Sequence, residues 1–164
     1  MKRHALLARY YETMLARLGP SSWWPGRTPF EVALGAILTQ NTAWANVEKA
    51  IHNLREQGLL DPLALQRLPD DELSALIRPA GAFRVKTGRV RNFLRFLHES
   101  CASDMQRLRE KDVDALRASL LQVSGIGPET ADSILLYALD LPSFVVDAYT
   151  RRILTRHGLV PEDI

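Results

Sequence analysis

Apolar residues in this chain recur at the spacing of α-helices, and glycine, proline and capping residues interrupt them at short intervals. The segment from Leu6 to Leu18 has this spacing and ends at Gly19-Pro20. Thr28, with Pro29 next and Glu31 three residues on, is typical of a helix start. Patterns typical of β-strands are almost absent. We therefore predict an all-α fold, a compact bundle of nine or ten short helices with short connections.

The composition is that of an ordinary globular protein. Of 164 residues, 46% are hydrophobic and 24% are charged, which suits one domain with or without a small second lobe. The formal net charge of +2 excludes a generally basic protein, so a nucleic-acid surface would have to come from local clustering. One basic cluster consists of Arg84, Lys86, Arg89, Arg91 and Arg95. We interpret this cluster as a solvated helix face.

Cys101 is the only cysteine. It therefore has no partner for a disulfide within the chain, and it cannot supply the cysteine group that zinc or an iron–sulfur cluster needs. The N-terminus lacks the pattern of a signal peptide, and no apolar run approaches membrane-spanning length. We expect a soluble intracellular protein with no cofactor held by this chain.

Gly125 and Gly127 bracket a tight turn between two helical patterns, and Pro128 opens the second of them. The simpler interpretation is an ordinary helix–helix turn in which glycine permits positive φ. A turn without side chains also lets its backbone N–H groups approach a large anion, such as a nucleic-acid phosphate. We favour phosphate binding.

A lone carboxylate, Asp147, follows Val145-Val146 at the start of another helix. Asp is favoured as a helix N-cap, and Thr150 stands at the third helical position. A cap position also favours a charged carboxylate, which a site that cleaves glycosyl bonds requires. A phosphate-binding turn followed by this acid is the arrangement of an enzyme acting on DNA.

Four segments carry a resemblance to a known family. They are residues 37–42 (Ile-Leu-Thr-Gln-Asn-Thr), residues 77–81 with Lys86, residues 123–131 and residues 145–147. With them the chain resembles the helix-hairpin-helix (HhH-GPD) DNA glycosylases of the endonuclease III superfamily. Within that superfamily it is similar to the bacterial 3-methyladenine DNA glycosylases, on the basis of Trp23, Trp24, Pro25 and Trp44.

The resemblance implies a division of the chain. Residues 1–27 would form an N-terminal helix and an aromatic loop, part of a second lobe. Residues 28–164 would form a six-helix-type HhH-GPD domain with its hairpin at residues 121–132. Many members continue past the aspartate helix, often around an iron–sulfur cluster. We expect such C-terminal helices to be missing here, so that a cluster could exist only with residues beyond this chain and the first helix exposes apolar surface.

The resemblance also implies roles for individual residues. Asp147 would be the catalytic group, as electrostatic stabiliser and base for the attacking water. Gly125, Ile126, Gly127 and Thr130 would contact DNA, and the backbone carbonyls of Leu121, Val123 and Ile126 would hold a monovalent cation. Glu129 occupies the position where bifunctional members carry a lysine. A carboxylate cannot form an imine with the sugar, so we expect no strand cleavage.

Two groups of residues have competing interpretations. Trp23, Trp24 and Trp44 could be core residues, but their π faces suit a flipped, positively charged alkylated purine, with Pro25 beside them. Gln40 and Asn41 could mark a helix end and restart, with Asn41 or Thr42 as the cap. Alternatively, an amide of Gln40 or Asn41 could enter the gap left by the extruded base. We leave the second choice open.

The expected function is base excision DNA repair. The protein would be a monomer in the bacterial cytoplasm or nucleoid, without membrane association. It would hydrolyse the N-glycosidic bond of alkylated purines such as 3-methyladenine in double-stranded DNA, without AP-lyase activity. One alternative is a related glycosylase for oxidised pyrimidines or for uracil or thymine mispaired with guanine. Another is a non-catalytic helix-hairpin-helix DNA-binding module.

Overall fold

The computed structural model describes residues 3–21 and 24–161. Within these ranges the protein is all-α, as predicted, and contains no strand. The α-helices are α1 Arg3–Leu18, α2 Pro29–Leu38, α3 Trp44–Glu56, α4 Pro62–Arg67, α5 Asp70–Leu76, α6 Phe83–Cys101, α7 Val113–Leu121, α8 Pro128–Ser133 and α9 Ala148–Arg156. Short 3₁₀ turns span Arg78–Ala80 and Met105–Glu110, and a π-helical turn, Ile134–Ala138, continues α8.

The chain divides into two compact units. The first consists of Met1–Pro25 and Asp147–Ile164, and the second consists of Gly26–Val146. The second unit therefore contains α2 to α8, including both helices that flank the glycine turn. The division into residues 1–27 and 28–164 that the resemblance implies stays a prediction.

Helix α2 forms the centre of the second unit. Nine of its ten residues are buried, as its continuous apolar sequence predicts. Its start is fixed by Thr28, whose Oγ1 accepts a hydrogen bond from the backbone N–H of Glu31 at 3.1 Å, with Pro29 in the first turn. The carboxylate of Glu31 is itself buried and accepts a hydrogen bond from Arg55 near the end of α3. This charge pair ties the start of α2 to α3.

The end of α2 is held by a buried lysine. Lys86 of α6 is only 2% exposed, and its Nζ donates to the carbonyl of Leu38 at 2.8 Å and to that of Ala80 at 2.7 Å. Burial lowers the pKa of Lys86, and the nearby positive charge of Arg89 lowers it further. The amine therefore satisfies a carbonyl that the end of a helix leaves without an intrahelical partner.

The expectation of a solvated basic face on α6 is wrong for three of its five members. Lys86 is buried as described, and Arg89 donates to the side chain of Gln40. Arg91 donates to Asp70 at 2.6 Å. It also donates to the carbonyl of Leu65, in α4, and to that of Leu68, which follows α4. Long basic side chains are used here to satisfy helix ends, and only Arg84 and Arg95 of the cluster are exposed.

The first unit contains α1 and α9. No described residue of α1 is buried, and large apolar side chains on it are exposed, namely Leu7, Tyr11, Met14, Leu15 and Leu18. This confirms the expected apolar surface on the first helix. The hydroxyl of Tyr10 lies 3.1 Å from Nδ1 of His157, just after α9. Within the described ranges, none of the helices combines the length and apolarity that crossing a membrane demands.

Candidate nucleic-acid interface

The hairpin consists of α7, the turn 122–127 and α8, and its two glycines have different roles. Gly125 has φ +95°, and a Cβ there would lie 2.3 Å from Cγ of Arg89. Both its conformation and its packing therefore require glycine. Gly127 has φ −90°, which any residue adopts, and a Cβ there would meet nothing within 4 Å. The need for positive φ explains Gly125 but leaves Gly127 unexplained within the protein.

The side chains of the hairpin separate into a buried and an exposed set. Ile126 and Thr130 are 5% and 6% exposed, whereas Gly125, Gly127 and Glu129 are exposed. The N–H of Ile126 donates to the carbonyl of Val123 at 2.9 Å, which closes the turn. The exposed part of the turn therefore includes two residues without side chains, Gly125 and Gly127, at which a phosphate could approach the backbone.

Gln40 braces this turn from the end of α2. Its Nε2 donates to the carbonyl of Gly125 and to Oγ1 of Thr130, each at 2.9 Å. Its Oε1 accepts a hydrogen bond from Nη1 of Arg89. The hydroxyl of Thr130 thus points to Gln40, and both hydrogen bonds that Nε2 of Gln40 donates go to the hairpin.

A second brace comes from α6. Nδ2 of Asn92 donates to the carbonyl of Ser124 at 3.0 Å. Two successive carbonyls of the turn, those of Ser124 and Gly125, are therefore held by side chains from outside the hairpin.

The turn after α2 differs from both sequence-based interpretations of its caps. The N-cap position of α3 is Ala43, with no side-chain capping bond, so neither Asn41 nor Thr42 is the cap. Asn41 instead adopts the left-handed conformation, with φ 54°, and its side chain is exposed. The chain reverses at Asn41, which asparagine tolerates better than most residues.

The two helices of the hairpin are joined by a network that sequence reasoning missed. Asp132 of α8 is 5% exposed and receives hydrogen bonds from Nε and Nη2 of Arg117 of α7, at 2.7 and 3.0 Å. Ser143 donates to the same carboxylate at 2.9 Å. The hydrogen bond from Arg117 lowers the pKa of Asp132, against the opposing effect of burial, and Ser143 lowers it further. Nothing local in the sequence marks the pairing of residues 117 and 132.

Asp147 lies in the first unit and is the N-cap of α9, as its sequence context predicts. Its Oδ1 accepts a hydrogen bond from the N–H of Thr150 at 2.7 Å, and the residue is partly exposed. The negative charge therefore sits at the positive end of the helix dipole. Helix α9 also carries Arg151, Arg152 and Arg156 and no acidic residue, a basic segment that our sequence reasoning did not single out.

The predicted aromatic residues fall in both units. Trp24 and Trp44 are partly exposed and Pro25 is exposed, whereas Trp23 lies outside the described residues. Trp24 and Pro25 belong to the first unit, and Trp44, the first residue of α3, belongs to the second. Trp24 and Trp44 thus each keep part of their surface accessible, and neither is a fully buried core residue.

No metal-binding group of three or more His, Cys, Asp or Glu side chains occurs among residues 3–21 and 24–161. Cys101 is buried, and its thiol donates to the carbonyl of Leu97 at 3.0 Å. Burial raises the pKa of this thiol.

The Asp132 network predicts a dependence of stability on acid. Because the folded-state pKa of Asp132 is depressed, its contribution is complete above about pH 4 and is lost as the pH falls through the folded-state value. We expect Asp132→Asn to lower the thermal midpoint at pH 7 by roughly 3–8 °C. The difference from the wild type should shrink below about pH 4.

Thermal denaturation followed by circular dichroism between pH 2.5 and 7 measures this difference. Asp140→Asn is the matched control, because Asp140 pairs with Arg109 at 2.7 Å but is exposed, and such surface pairs contribute little. Equal effects of the two substitutions, or a difference that does not change with pH, would contradict the role assigned to Asp132.

Comparison with known proteins places the chain in a family. The model of the HhH-GPD superfamily base excision DNA repair proteins matches residues 34–164. A putative DNA repair glycosylase of Methanocaldococcus jannaschii is 46% identical over 158 residues, which cover 96% of this chain and 72% of that protein. Endonuclease III of Thermotoga maritima is 30% identical over 132 residues, 80% of this chain and 58% of that protein.

Solved structures agree on the fold. A crystal structure of the H. pylori 3-methyladenine DNA glycosylase bound to 1,N6-ethenoadenine is similar with a TM-score of 0.83 and 28% identity, covering 99% of this chain and 77% of that one. A non-covalent endonuclease III–DNA complex is similar with a TM-score of 0.79 and 22% identity, covering 100% and 72% of the two chains. The hairpin, the capping aspartate and these matches lead to one conclusion: the chain belongs to the HhH-GPD superfamily of base excision DNA repair proteins.

Proposed function

We propose that this protein is a DNA glycosylase that hydrolyses the N-glycosidic bond of alkylated purines, such as 3-methyladenine, in double-stranded DNA. It leaves an abasic site and does not cut the strand. The observation that carries the proposal is the Asp147 carboxylate, held as the cap of α9 in a chain of this family. The protein acts as a monomer.

The hairpin binds a backbone phosphate of the DNA. The exposed Gly127, whose missing side chain has no explanation within the protein, lets the phosphate approach the backbone closely. The carbonyls of Leu121, Val123 and Ile126 would supply oxygen ligands to a monovalent cation.

Asp147 supports the bond cleavage. Departure of the base leaves positive charge on the deoxyribose, and a nearby carboxylate stabilises an oxocarbenium-like transition state. The same carboxylate accepts a proton from the water that attacks the sugar. The base leaves easily when N3- or N7-alkylation has already made it positively charged, so a strong general acid is not needed.

The tryptophans select the base. Aromatic faces attract cations, and an alkylated purine is a flat cation. Trp24 and Trp44 each keep part of their surface accessible. We assign Trp23 and Pro25 to base binding as well. The H. pylori 3-methyladenine DNA glycosylase, 28% identical to this chain, supports the same substrate class.

Two side chains support the proposal that the protein does not cut the strand. An AP lyase needs an amine that can form an imine with the sugar. Glu129 occupies the position of the family lysine and is exposed. Lys86, the one lysine in the segments that resemble the family, is buried and donates to two backbone carbonyls.

Asn41 contacts the DNA base that loses its partner when the damaged base leaves the duplex. The residue is exposed and lies in the turn after α2.

Asp147→Asn should reduce base release at least about a hundredfold and leave duplex binding within a fewfold. Asparagine caps helices as well as aspartate does, so the substitution removes the charge and keeps the cap. The measurement is the release of methylated bases from DNA treated with a methylating agent, at saturating protein. Asp61→Asn, the same change at the cap of α4, is the control. If Asp147→Asn excises at the wild-type rate, the catalytic role is wrong.

Trp44→Leu should lower the excision of 3-methyladenine about tenfold or more, through loss of the cation–π contact. Trp44→Phe keeps an aromatic face and should retain most of the wild-type activity. The excision rate and the thermal midpoint are measured for each variant, so that loss of activity can be separated from loss of stability. Excision is also measured across a panel of lesions. A wild-type preference for uracil, mispaired thymine or oxidised pyrimidine would replace the alkylpurine assignment with another glycosylase specificity. Duplex binding without release of any base would favour a non-catalytic module.

Borohydride should trap no covalent complex between the protein and DNA that carries a lesion or an abasic site. The carboxylate of Glu129 cannot form the imine that borohydride reduces, and the amine of Lys86 is buried against two backbone carbonyls. The reaction products are separated by denaturing electrophoresis, with a lysine-dependent endonuclease III as positive control. A strong adduct would show that this protein is bifunctional.

A further inference from the structure

We propose that Arg89 is a positioning residue for DNA binding, because it orients the amide of Gln40 and through it fixes the backbone of the hairpin turn. The inference rests on the proposed function, in which the hairpin binds a phosphate. It assigns to Arg89 a role other than that of a surface charge.

The orientation of the Gln40 amide is determined from both ends. A guanidinium can only donate, so the oxygen of the amide must face Arg89. The carbonyl of Gly125 can only accept, so the NH₂ group must face the hairpin, where it lies 2.9 Å from that oxygen. Without Arg89, only the contacts with the hairpin would hold the amide in this orientation, and its oxygen would lose its partner. A rotated amide would place an oxygen against the carbonyl of Gly125 and weaken the hold on the turn.

Arg89 also contacts the turn directly through its aliphatic carbons. A Cβ on Gly125 would lie 2.3 Å from Cγ, 3.0 Å from Cδ and 3.1 Å from Cβ of Arg89, so these carbons pack against the glycine. The stem of the side chain thus supports the turn by packing, and its head supports it through Gln40. Methionine at position 89 would keep an unbranched stem and remove the head, which separates the two contributions.

The consequence for DNA binding follows from peptide geometry. In a trans peptide the C=O and N–H groups point in opposite directions. Asn92, one turn after Arg89 on α6, holds the carbonyl of Ser124, so the N–H of Gly125 points away from Asn92. Gln40 holds the next peptide plane through the carbonyl of Gly125. Since ordering a loop on binding weakens affinity, a turn fixed in advance binds a phosphate more tightly than a mobile one.

The test uses the full chain with Arg89→Met, Gln40→Leu and the double variant. Arg95→Met is the matched control, because it removes one positive charge from an exposed position on the same helix. Three quantities are measured. They are hydrogen exchange of the Ile126 amide without DNA, the Kd for a duplex with a stable abasic-site analogue at several salt concentrations, and the single-turnover rate of base release at saturation.

We expect Arg89→Met to accelerate exchange of the Ile126 amide about tenfold, because its bond to Val123 closes the turn. The Kd should rise about three- to tenfold, with the single-turnover rate unchanged. The double variant should bind within about twofold of the weaker single variant, because both act on one contact. Arg95→Met should match the wild type in exchange and in single-turnover rate.

Three results would overturn the proposal. The first is unchanged exchange of the Ile126 amide in Arg89→Met. The second is a double variant whose losses multiply. The third is a slope of log binding constant against log salt concentration that is less steep by about 0.9 in Arg89→Met than in the wild type. That change would indicate that Arg89 contacts a phosphate directly. If the wild type does not bind the damaged duplex, the proposed function fails, whereas exchange in the free protein still decides the role of Arg89.

Discussion

Short helices end in carbonyls that have no intrahelical partner, and the second unit depends on side chains that satisfy them. Helix α6 supplies most of these groups. Lys86 binds the last carbonyl of α2, Arg91 binds carbonyls at the end of α4, and Asn92 binds a carbonyl of the hairpin turn. An unpaired buried carbonyl is costly, so these polar contacts help to hold the helix ends in place beside the apolar core. The position of the hairpin is a result of this arrangement.

The two glycines of the hairpin show how one motif combines folding and recognition. Gly125 meets requirements of the protein itself, because its backbone is left-handed and its Cα lies against Arg89. Gly127 meets no such requirement, since a side chain would fit there in open space. A residue kept small for no internal reason points to an external partner. The same distinction can be applied to any glycine-rich turn for which the surrounding atoms are known.

The sequence was sufficient for the features that depend on neighbouring residues. The caps Thr28 and Asp147 were identified from residues within three positions of them, and the structure has both in that role. The all-α fold follows from helical periodicity, and the burial of α2 follows from its continuous apolar sequence. The positions of Gly125 and Asp147 in the family pattern also came from short segments, although their roles toward DNA stay predictions.

The features that sequence reasoning missed join residues far apart in the chain. Lys86 donates to the backbone carbonyl of a residue 48 positions away, and Arg89 donates to the side chain of a residue 49 positions away. In the sequence both belong to a charged run that is typical of a solvated helix face. The pairing of Arg117 with Asp132 lacks a local signal as well. Only the packing of the helices determines which charged groups end up inside.

The burial of Cys101 has a consequence for the reactivity of this chain toward alkylating electrophiles. Electrophiles that methylate ring nitrogens of purines also react with thiolates. The only thiol in this chain is buried, its S–H is engaged with the carbonyl of Leu97, and its pKa is raised. Because the protonated thiol is a poor nucleophile and is shielded from solvent, this side chain is protected from such electrophiles.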